Sequence, residues 1–235
     1  MALRADLALL FGTAIALGLP QASAAQQTFA LPQGCTAYVS IQSRDCSVTH
    51  HFTCETDPEG FQRRVDFDQD GPVFFSVIDA ETQWVESFSP RSGSTSRLTP
   101  GAADPASFSD LMASGEDTFD FLTTSDVFGG TRHVGADRLT GQVETIDGVV
   151  LQVTEFEAAA YDSGGGLLYS STGQQYVNAD WGTFLAGTEV TDNGEEVFTS
   201  DGRPMAFDFP GDPGFLSTQP IYGCDVVLSL LEVRP

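Results

Sequence analysis

Two cysteine-bounded stretches near the start of the sequence constrain the fold more than any other feature. Residues 35–43 read CTAYVSIQS and residues 46–54 read CSVTHHFTC, and in both stretches the apolar side chains fall at alternate positions. Such alternation is typical of strands that bury one face. A turn at Arg44 and Asp45 would place Ile41 opposite Val48 and Val39 opposite His50. The two stretches therefore predict an antiparallel hairpin.

The same register predicts how the four cysteines pair. Cys35 would lie opposite Cys54, close enough for a disulfide if the position is not hydrogen-bonded, and Cys46 is then left for Cys224. A bond between Cys46 and Cys54 is excluded, because eight residues of one extended strand span about 26 Å. The sequence contains no C-x-x-C motif, so a thiol oxidoreductase is disfavoured. Two structural disulfides predict an oxidising compartment.

The N-terminal residues predict export. Residues 1–24 contain Arg4, an apolar run at 7–19 and a small-residue pattern at 22–24, which together are typical of a secretory signal peptide. Residues 25–235 would then form a single β-rich domain in the periplasm or outside the cell. A Gly-Cys pair at Gly34 and Cys35 leaves lipidation of Cys35 as an alternative. No later stretch is apolar enough to span a membrane.

The charge of the chain limits its partners. The net charge is −23, and all ten basic residues are arginines. Such an acidic surface repels the phosphates of nucleic acids and the headgroups of anionic membranes, so we expect neither as a direct partner. Hydrophobic residues make up 41% of the chain, which argues against disorder. No sequence pattern indicates an oligomeric state.

The remaining sequence predicts a mainly β fold with one or two short helices. From Thr131 onward, strand-like runs alternate with turn signals such as TIDGVV, YDSGGGLLY, TDNGEE and SDGRPM. This spacing indicates a curved antiparallel meander, either a half-barrel or a barrel. A helix is expected at residues 104–115, with Asp104 as N-cap, Pro105 at the first helical position and Gly115 at the C-terminal cap. Residues 116–128 fit either a second helical turn or a strand.

One hairpin resembles a known family. Residues 156–177 read FEAAAYDSGGGLLYSSTGQQYV, with a Phe-led strand, a D-x-x-G-like turn, a Leu-x-x-Ser strand and a final Val. This stretch, about one tenth of the chain, resembles the early strands of the periplasmic lipoprotein carriers, the LolA-type half-barrels. In that family the segment lies near the mature N-terminus, whereas here it comes late. The resemblance implies a concave sheet, a helix acting as a lid and an apolar cavity for acyl chains.

The stretch DFDQDG at residues 66–71 supports two interpretations. It has three aspartates at alternate positions and then a glycine, as at the start of a calcium loop: Asp66, Asp68, Asp70. The twelfth position of such a loop, normally a bidentate Glu, is Val77. A hairpin with its turn at Asp70 and Gly71, and with Phe67 facing Phe74, explains the same residues and is favoured. Ca²⁺ is the only cofactor that the sequence suggests.

Catalytic signals are sparse. There is no G-x-S-x-G motif, and the absence of lysine excludes Ser-Lys dyads and Schiff bases. His50 and His51 are neighbours in a predicted strand, so they point to opposite faces and cannot bind one ion together. We expect His50 in the core and His51 at the surface.

Non-enzymatic binding is accordingly the leading hypothesis for function. An apolar, lipid-like or amphiphilic molecule would bind on the curved sheet, with aromatic contacts from four candidates: Trp84, Phe156, Tyr161, Trp181. One alternative is an exported hydrolase that uses two carboxylates. Another is a structural or interaction module stabilised by calcium.

Overall fold

The computed structural model describes residues 27–224. The predicted signal peptide and residues 225–235 lie outside the described residues. Within them the chain forms thirteen strands and one helix, in this order: β1 Cys35–Ser43, β2 Ser47–Cys54, β3 Gln62–Asp68, β4 Gly71–Ile78, β5 Trp84–Ser89, β6 Ser94–Leu98, α1 Phe108–Ser114, β7 Glu116–Ser125, β8 Gly129–Ile146, β9 Val149–Asp162, β10 Leu167–Asn178, β11 Thr183–Asp192, β12 Val197–Asp201 and β13 Pro204–Asp208.

All thirteen strands belong to one antiparallel sheet. Strands β1 to β12 lie beside one another in chain order, and β13 returns to pair with the free edge of β1. The two ends of the sheet are thus β12 and β13, which follow each other in sequence but do not pair, so the sheet stays open. This architecture confirms the predicted antiparallel meander.

In the first hairpin, the predicted residue pairs form only at the end away from the turn, near Cys35 and Cys54. Cys35 lies opposite Cys54 and Ala37 opposite Phe52, but a bulge between Ala37 and Val39 then shifts the register. The extra residue places Val39 opposite His51 and Ile41 opposite Thr49. The predicted pairs Val39–His50 and Ile41–Val48 are therefore wrong, because a bulge changes which side chains face each other.

Both histidines of this hairpin are buried, which corrects the expectation that His51 lies at the surface. The exposed fraction is 0% for His50 and 3% for His51. The Nδ1 of His50 lies 2.8 Å from the hydroxyl oxygen of Ser40, which also accepts a hydrogen bond from the backbone N–H of Leu216. Because the sheet is covered on both faces here, adjacent residues of one strand are buried together.

The disulfides join the predicted pairs, Cys35 with Cys54 and Cys46 with Cys224. The first closes the open end of the β1–β2 hairpin. The second links the turn of that hairpin to residue 224, at a sequence separation of 178. Lipidation of Cys35 is wrong as an expectation, because its sulfur is bonded to Cys54. The two bonds indicate an oxidising, extracellular environment.

Two hydrophobic clusters form the core, and β1 contributes to both. One cluster joins β1 and β13 to the strands β9, β10 and β11: Val39, Ile41, Leu151, Val153, Tyr176, Leu185, Phe207. The other joins the first strands to segments near both ends of the described chain, with Phe29 and Phe215 packed against it: Ala37, Val48, Phe52, Val65, Phe67. Each fully buried aliphatic or aromatic side chain contributes about 1.5–3 kcal/mol.

The helix begins three residues later than predicted. Ser107 is the N-cap, and its hydroxyl accepts a hydrogen bond of 3.2 Å from the backbone N–H of Asp110. Asp104 does not cap the helix, because its backbone pairs with Asp120 of β7 and is extended. Gly115 ends the helix in the left-handed conformation, as expected. The ambiguous stretch that follows is strand β7.

Candidate functional site

The stretch DFDQDG forms the β3–β4 hairpin, as the favoured interpretation predicted. Asp68 lies opposite Gly71, so the turn consists of Gln69 and Asp70, one residue earlier than expected. A bulge after Asp66 then places Phe74 opposite Asp66 instead of Phe67. The predicted Phe67–Phe74 pair is therefore wrong, because the bulge moves the two rings out of register.

Arginines and a threonine hold two of the three aspartates of this stretch. Asp66 accepts a hydrogen bond of 2.9 Å from Thr49 Oγ1, and its other oxygen lies 3.2 Å from an Arg64 nitrogen. Asp68 is paired with Arg91, whose nearest nitrogen is 3.8 Å from Asp70. Across residues 27–224, no three His, Cys, Asp or Glu side chains are grouped so that they could hold a metal ion. Calcium binding at this stretch stays a prediction.

The four aromatic ligand candidates do not form one site. Trp84 begins β5 and is 51% exposed. Trp181, in the β10–β11 turn, packs against Phe207 and belongs to the core. Phe156 and Tyr161 lie five positions apart in β9 and therefore point to opposite faces of the sheet. Trp84 is the candidate that lies beside a cleft.

This cleft, of about 50 Å³, lies between strands β2 to β5 and the start of β11. The residues that line it include His51, Gln62, Arg64, Ser76, Trp84 and Phe184. Cross-strand pairing explains their convergence, because Arg64 lies opposite both His51 and Ser76. Gln62 closes one side by donating hydrogen bonds to the carbonyls of Trp181 and Gly182, at 2.7 and 3.1 Å.

Arg64 brings a positive charge to the cleft. Its guanidinium lies 5.2 Å from the centre of the Phe74 ring and forms the ion pair with Asp66. Its Nε is buried and has no hydrogen-bond acceptor. A buried donor without a partner costs about 1–3 kcal/mol, so the contacts within the protein leave the hydrogen-bonding capacity of Arg64 partly unused.

His51 adds no charge beside Arg64 at neutral pH. Burial, together with the nearby Arg64 and His50, lowers the pKa of His51 to about 3. The histidine is thus neutral, and the unpaired Nε of Arg64 lies in the same cleft as the exposed indole of Trp84. Arg63 also lines the cleft, but both of its hydrogen bonds go to the carboxylate of Asp57. Sequence reasoning identified Trp84 but missed Arg64, whose role depends on pairing across three strands.

A second arrangement, a pair of carboxyl groups, lies beside the helix. Asp117 of β7 is directly opposite Asp137 of β8, and one Asp117 oxygen accepts a hydrogen bond of 2.9 Å from the backbone N–H of Ser107. Burial raises the pKa of Asp137 to about 7, and the charge of Asp117 contributes to this shift. Burial raises the pKa of Asp117 as well. The pair therefore retains a proton up to near neutrality.

The carboxyl pair was not predicted from the sequence. The chain has 33 acidic residues, and no local pattern distinguishes these two. Only the β7–β8 register brings them together, with β-carbons about 4.5–5.5 Å apart as for any directly opposite residues.

No family model matches this chain, and neither a curated protein nor a solved structure matches it. The resemblance to lipoprotein carriers therefore stays a prediction carried by residues 156–177, which fall on the β9–β10 hairpin. Within residues 27–224, no helix has the length and apolar character needed to cross a membrane.

Proposed function

We propose that this protein is an exported, non-enzymatic binding protein that takes an anionic amphiphile at the cleft between β2–β5 and β11. The observation that carries the proposal is the Arg64 guanidinium, with a buried and unpaired Nε, beside the exposed ring of Trp84. Two disulfides and the predicted signal peptide support a periplasmic or secreted location.

The chemistry of the cleft favours a molecule with an anionic head and an apolar chain. A carboxylate or phosphate oxygen is the acceptor that a guanidinium binds best. Trp84 and the half-buried Phe184 offer apolar contact beside that charge. In a chain of net charge −23, this local cation gives an anion a defined place to bind.

The size of the cleft determines how such a ligand binds. Enclosed ligand pockets measure about 300–1,000 Å³, whereas this cleft measures about 50 Å³. Only the head group can therefore enter, and the apolar chain lies along Trp84 at the surface. This mode differs from the enclosed acyl cavity that the carrier resemblance implies.

Calorimetric titration with laurate below its critical micelle concentration tests the proposal. We expect saturable binding, and no binding of a cationic detergent with the same chain length. Arg64→Lys keeps the charge but removes Nε and the planar fork, so it should weaken laurate binding by about tenfold, the loss of a charge-assisted hydrogen bond. Trp84→Ala should also weaken it.

Arg97→Lys provides the matched control, because Arg97 forms an exposed ion pair with Glu86 and does not line the cleft. This variant should bind laurate as the unchanged protein does. Equal affinity of Arg64→Lys and Arg97→Lys, or the absence of saturable binding, would contradict the proposal.

A carboxylate-dependent hydrolase is the second candidate, and the Asp117–Asp137 pair favours it. Retaining glycosidases place two carboxyl groups about 5–5.5 Å apart and keep one of them protonated as a general acid. The opposite positions of these residues place the two side chains next to each other, and the raised pKa of Asp137 fits a protonated general acid.

Assays with a panel of aryl glycosides between pH 5 and pH 7 test this candidate. Turnover should disappear in Asp137→Asn and persist in Glu155→Gln, a control at an exposed position of β9. A panel without turnover by the unchanged protein would eliminate glycoside hydrolysis.

A further inference from the structure

Helix α1 borders the cleft that contains Arg64. Phe184 of β11 lines the cleft, and its ring meets that of Phe108, the first residue of α1, edge to face with the ring centres 5.9 Å apart. Thr82 also lines the cleft, and the carbonyl of Glu81, the residue before it, accepts a hydrogen bond of 3.3 Å from the backbone N–H of Phe108. Two contacts therefore hold the start of the helix beside the cleft.

Phe108 and Phe184 keep part of their rings accessible. Both residues are half-buried, whereas Leu111 is the buried side chain of α1. Trp84, which lines the same cleft, is 51% exposed. The three aromatic side chains therefore leave a continuous apolar surface, from the cleft to the helix, that packing within residues 27–224 covers only in part.

The start of α1 is also acidic. One oxygen of the Glu81 carboxylate accepts a hydrogen bond of 2.9 Å from the backbone N–H of Ser109, and Asp110 lies in the first turn of the helix. Burial, together with three nearby carboxylates, raises the pKa of Asp117: Asp104, Asp110, Glu81. An anionic group brought to this end of the helix would meet several like charges.

We propose that the apolar chain of the ligand runs from the cleft across Phe184 and Phe108, and that the site therefore selects amphiphiles with one anionic end. This inference rests on the proposed binding of the head group at Arg64. Covering the two half-buried rings removes apolar surface from water on both sides of the contact. A second carboxylate at the far end of the chain would lie near the acidic start of α1 and be repelled. The ligand class is thus a monocarboxylate with an alkyl chain, and a dicarboxylate is disfavoured.

Titration with laurate and butyrate separates the chain contact from the head-group contact. Phe108→Ala should weaken laurate binding about tenfold, the effect of exposing roughly two buried methylene groups. Butyrate offers almost no chain, so its binding, measured by NMR titration, should not change. Phe108→Leu keeps an apolar side chain and should retain most of the laurate affinity. Phe128→Ala, at a 71% exposed position of the β7–β8 turn, is the control and should bind both ligands as the unchanged protein does.

Dodecanedioate tests the preference for one anionic end. Its second carboxylate should make it bind at least about tenfold more weakly than laurate, partly through the polarity of that end and partly through repulsion. Asp110→Asn removes repulsion alone and should narrow the difference about threefold at low ionic strength, where charges are least screened. Glu195→Gln removes the same charge from the exposed β11–β12 turn and should leave the difference unchanged.

The outcomes distinguish this inference from the function on which it rests. Arg64→Lys should weaken both laurate and butyrate, and failure of laurate to bind at all would overturn the proposed function itself. Binding of laurate through Arg64 that neither Phe108→Ala nor Phe108→Leu alters would overturn the chain contact alone, as would an equal loss of butyrate in Phe108→Ala. An identical response of dodecanedioate to Asp110→Asn and Glu195→Gln would overturn the selection for one anionic end.

Discussion

The β1–β2 hairpin and the β8–β9 hairpin are built from the same antiparallel pattern but are buried to different extents. In the first, side chains of both faces are covered, so that Ser40 and His50 are as inaccessible as Val39. In the second, strands of 18 and 14 residues extend beyond the core, and both Val143 and Val150 are 60% exposed. The comparison shows that alternation identifies a strand but not which of its faces is buried.

Removing the disulfides shows how much the first hairpin stabilises the fold through its covalent links. We expect the largest loss of unfolding free energy from these variants. Removing the Cys46–Cys224 bond with a pair of serines should cost about 5 kcal/mol of unfolding free energy, because it closes a loop of 178 residues. Removing Cys35–Cys54, with a separation of 19, should cost about 3 kcal/mol. Urea unfolding measures both, and equal losses would contradict the loop-length explanation.

Two neighbouring residues of β9 allow a buried and an exposed position of one strand to be compared. Leu151 is fully buried, so Leu151→Ala should cost about 2–5 kcal/mol through lost burial and a cavity. Val150→Ala, at the adjacent exposed position, should change stability by less than about 0.5 kcal/mol. Thermal and urea unfolding of the two variants give the comparison. Similar losses would show that the exposed part of the second hairpin is covered in solution.

The carboxyl pair on β7 and β8 predicts a pH effect of smaller size. Since burial raises the pKa of Asp137 to about 7, the folded state binds more protons than the unfolded state between about pH 4 and pH 7. Stability therefore falls as pH rises through this window. Asp137→Asn should be more stable than the unchanged protein by roughly 2 kcal/mol at pH 8, a value reduced for solvent screening, and about equal to it at pH 4.

Unfolding curves at the two pH values measure this difference. Glu155→Gln, at an exposed position of the next strand, should show no such pH-dependent gain. A gain of equal size for Asp137→Asn at pH 4 would indicate a packing effect instead of a titration.

Local patterns predicted the order of the strands, because most turns of the meander join neighbouring strands and carry their own sequence signals. The pairing of Cys35 with Cys54 followed from the same alternation. The bulges after Ala37 and Asp66 could not be predicted, since a one-residue insertion depends on what covers each face. The candidate sites depend on the register for the same reason. Trp84 could be proposed because it is aromatic. The roles of Arg64 and of the Asp117–Asp137 pair depend on which residues lie opposite them on neighbouring strands, and the sequence does not show this.

The pairing of β1 with β13 has a consequence for the newly made chain. Strands β1 to β12 can pair one after another during synthesis, because each strand from β2 onward pairs with the strand that precedes it in the sequence. The other edge of β1, however, stays unpaired until residues 204–208 have been synthesised, and Cys46 has no disulfide partner until residue 224 has been synthesised. During that interval β1 has an unpaired edge that can bind chaperones or neighbouring chains. Cys224, the last cysteine to be synthesised, then links the β1–β2 hairpin covalently to the end of the domain.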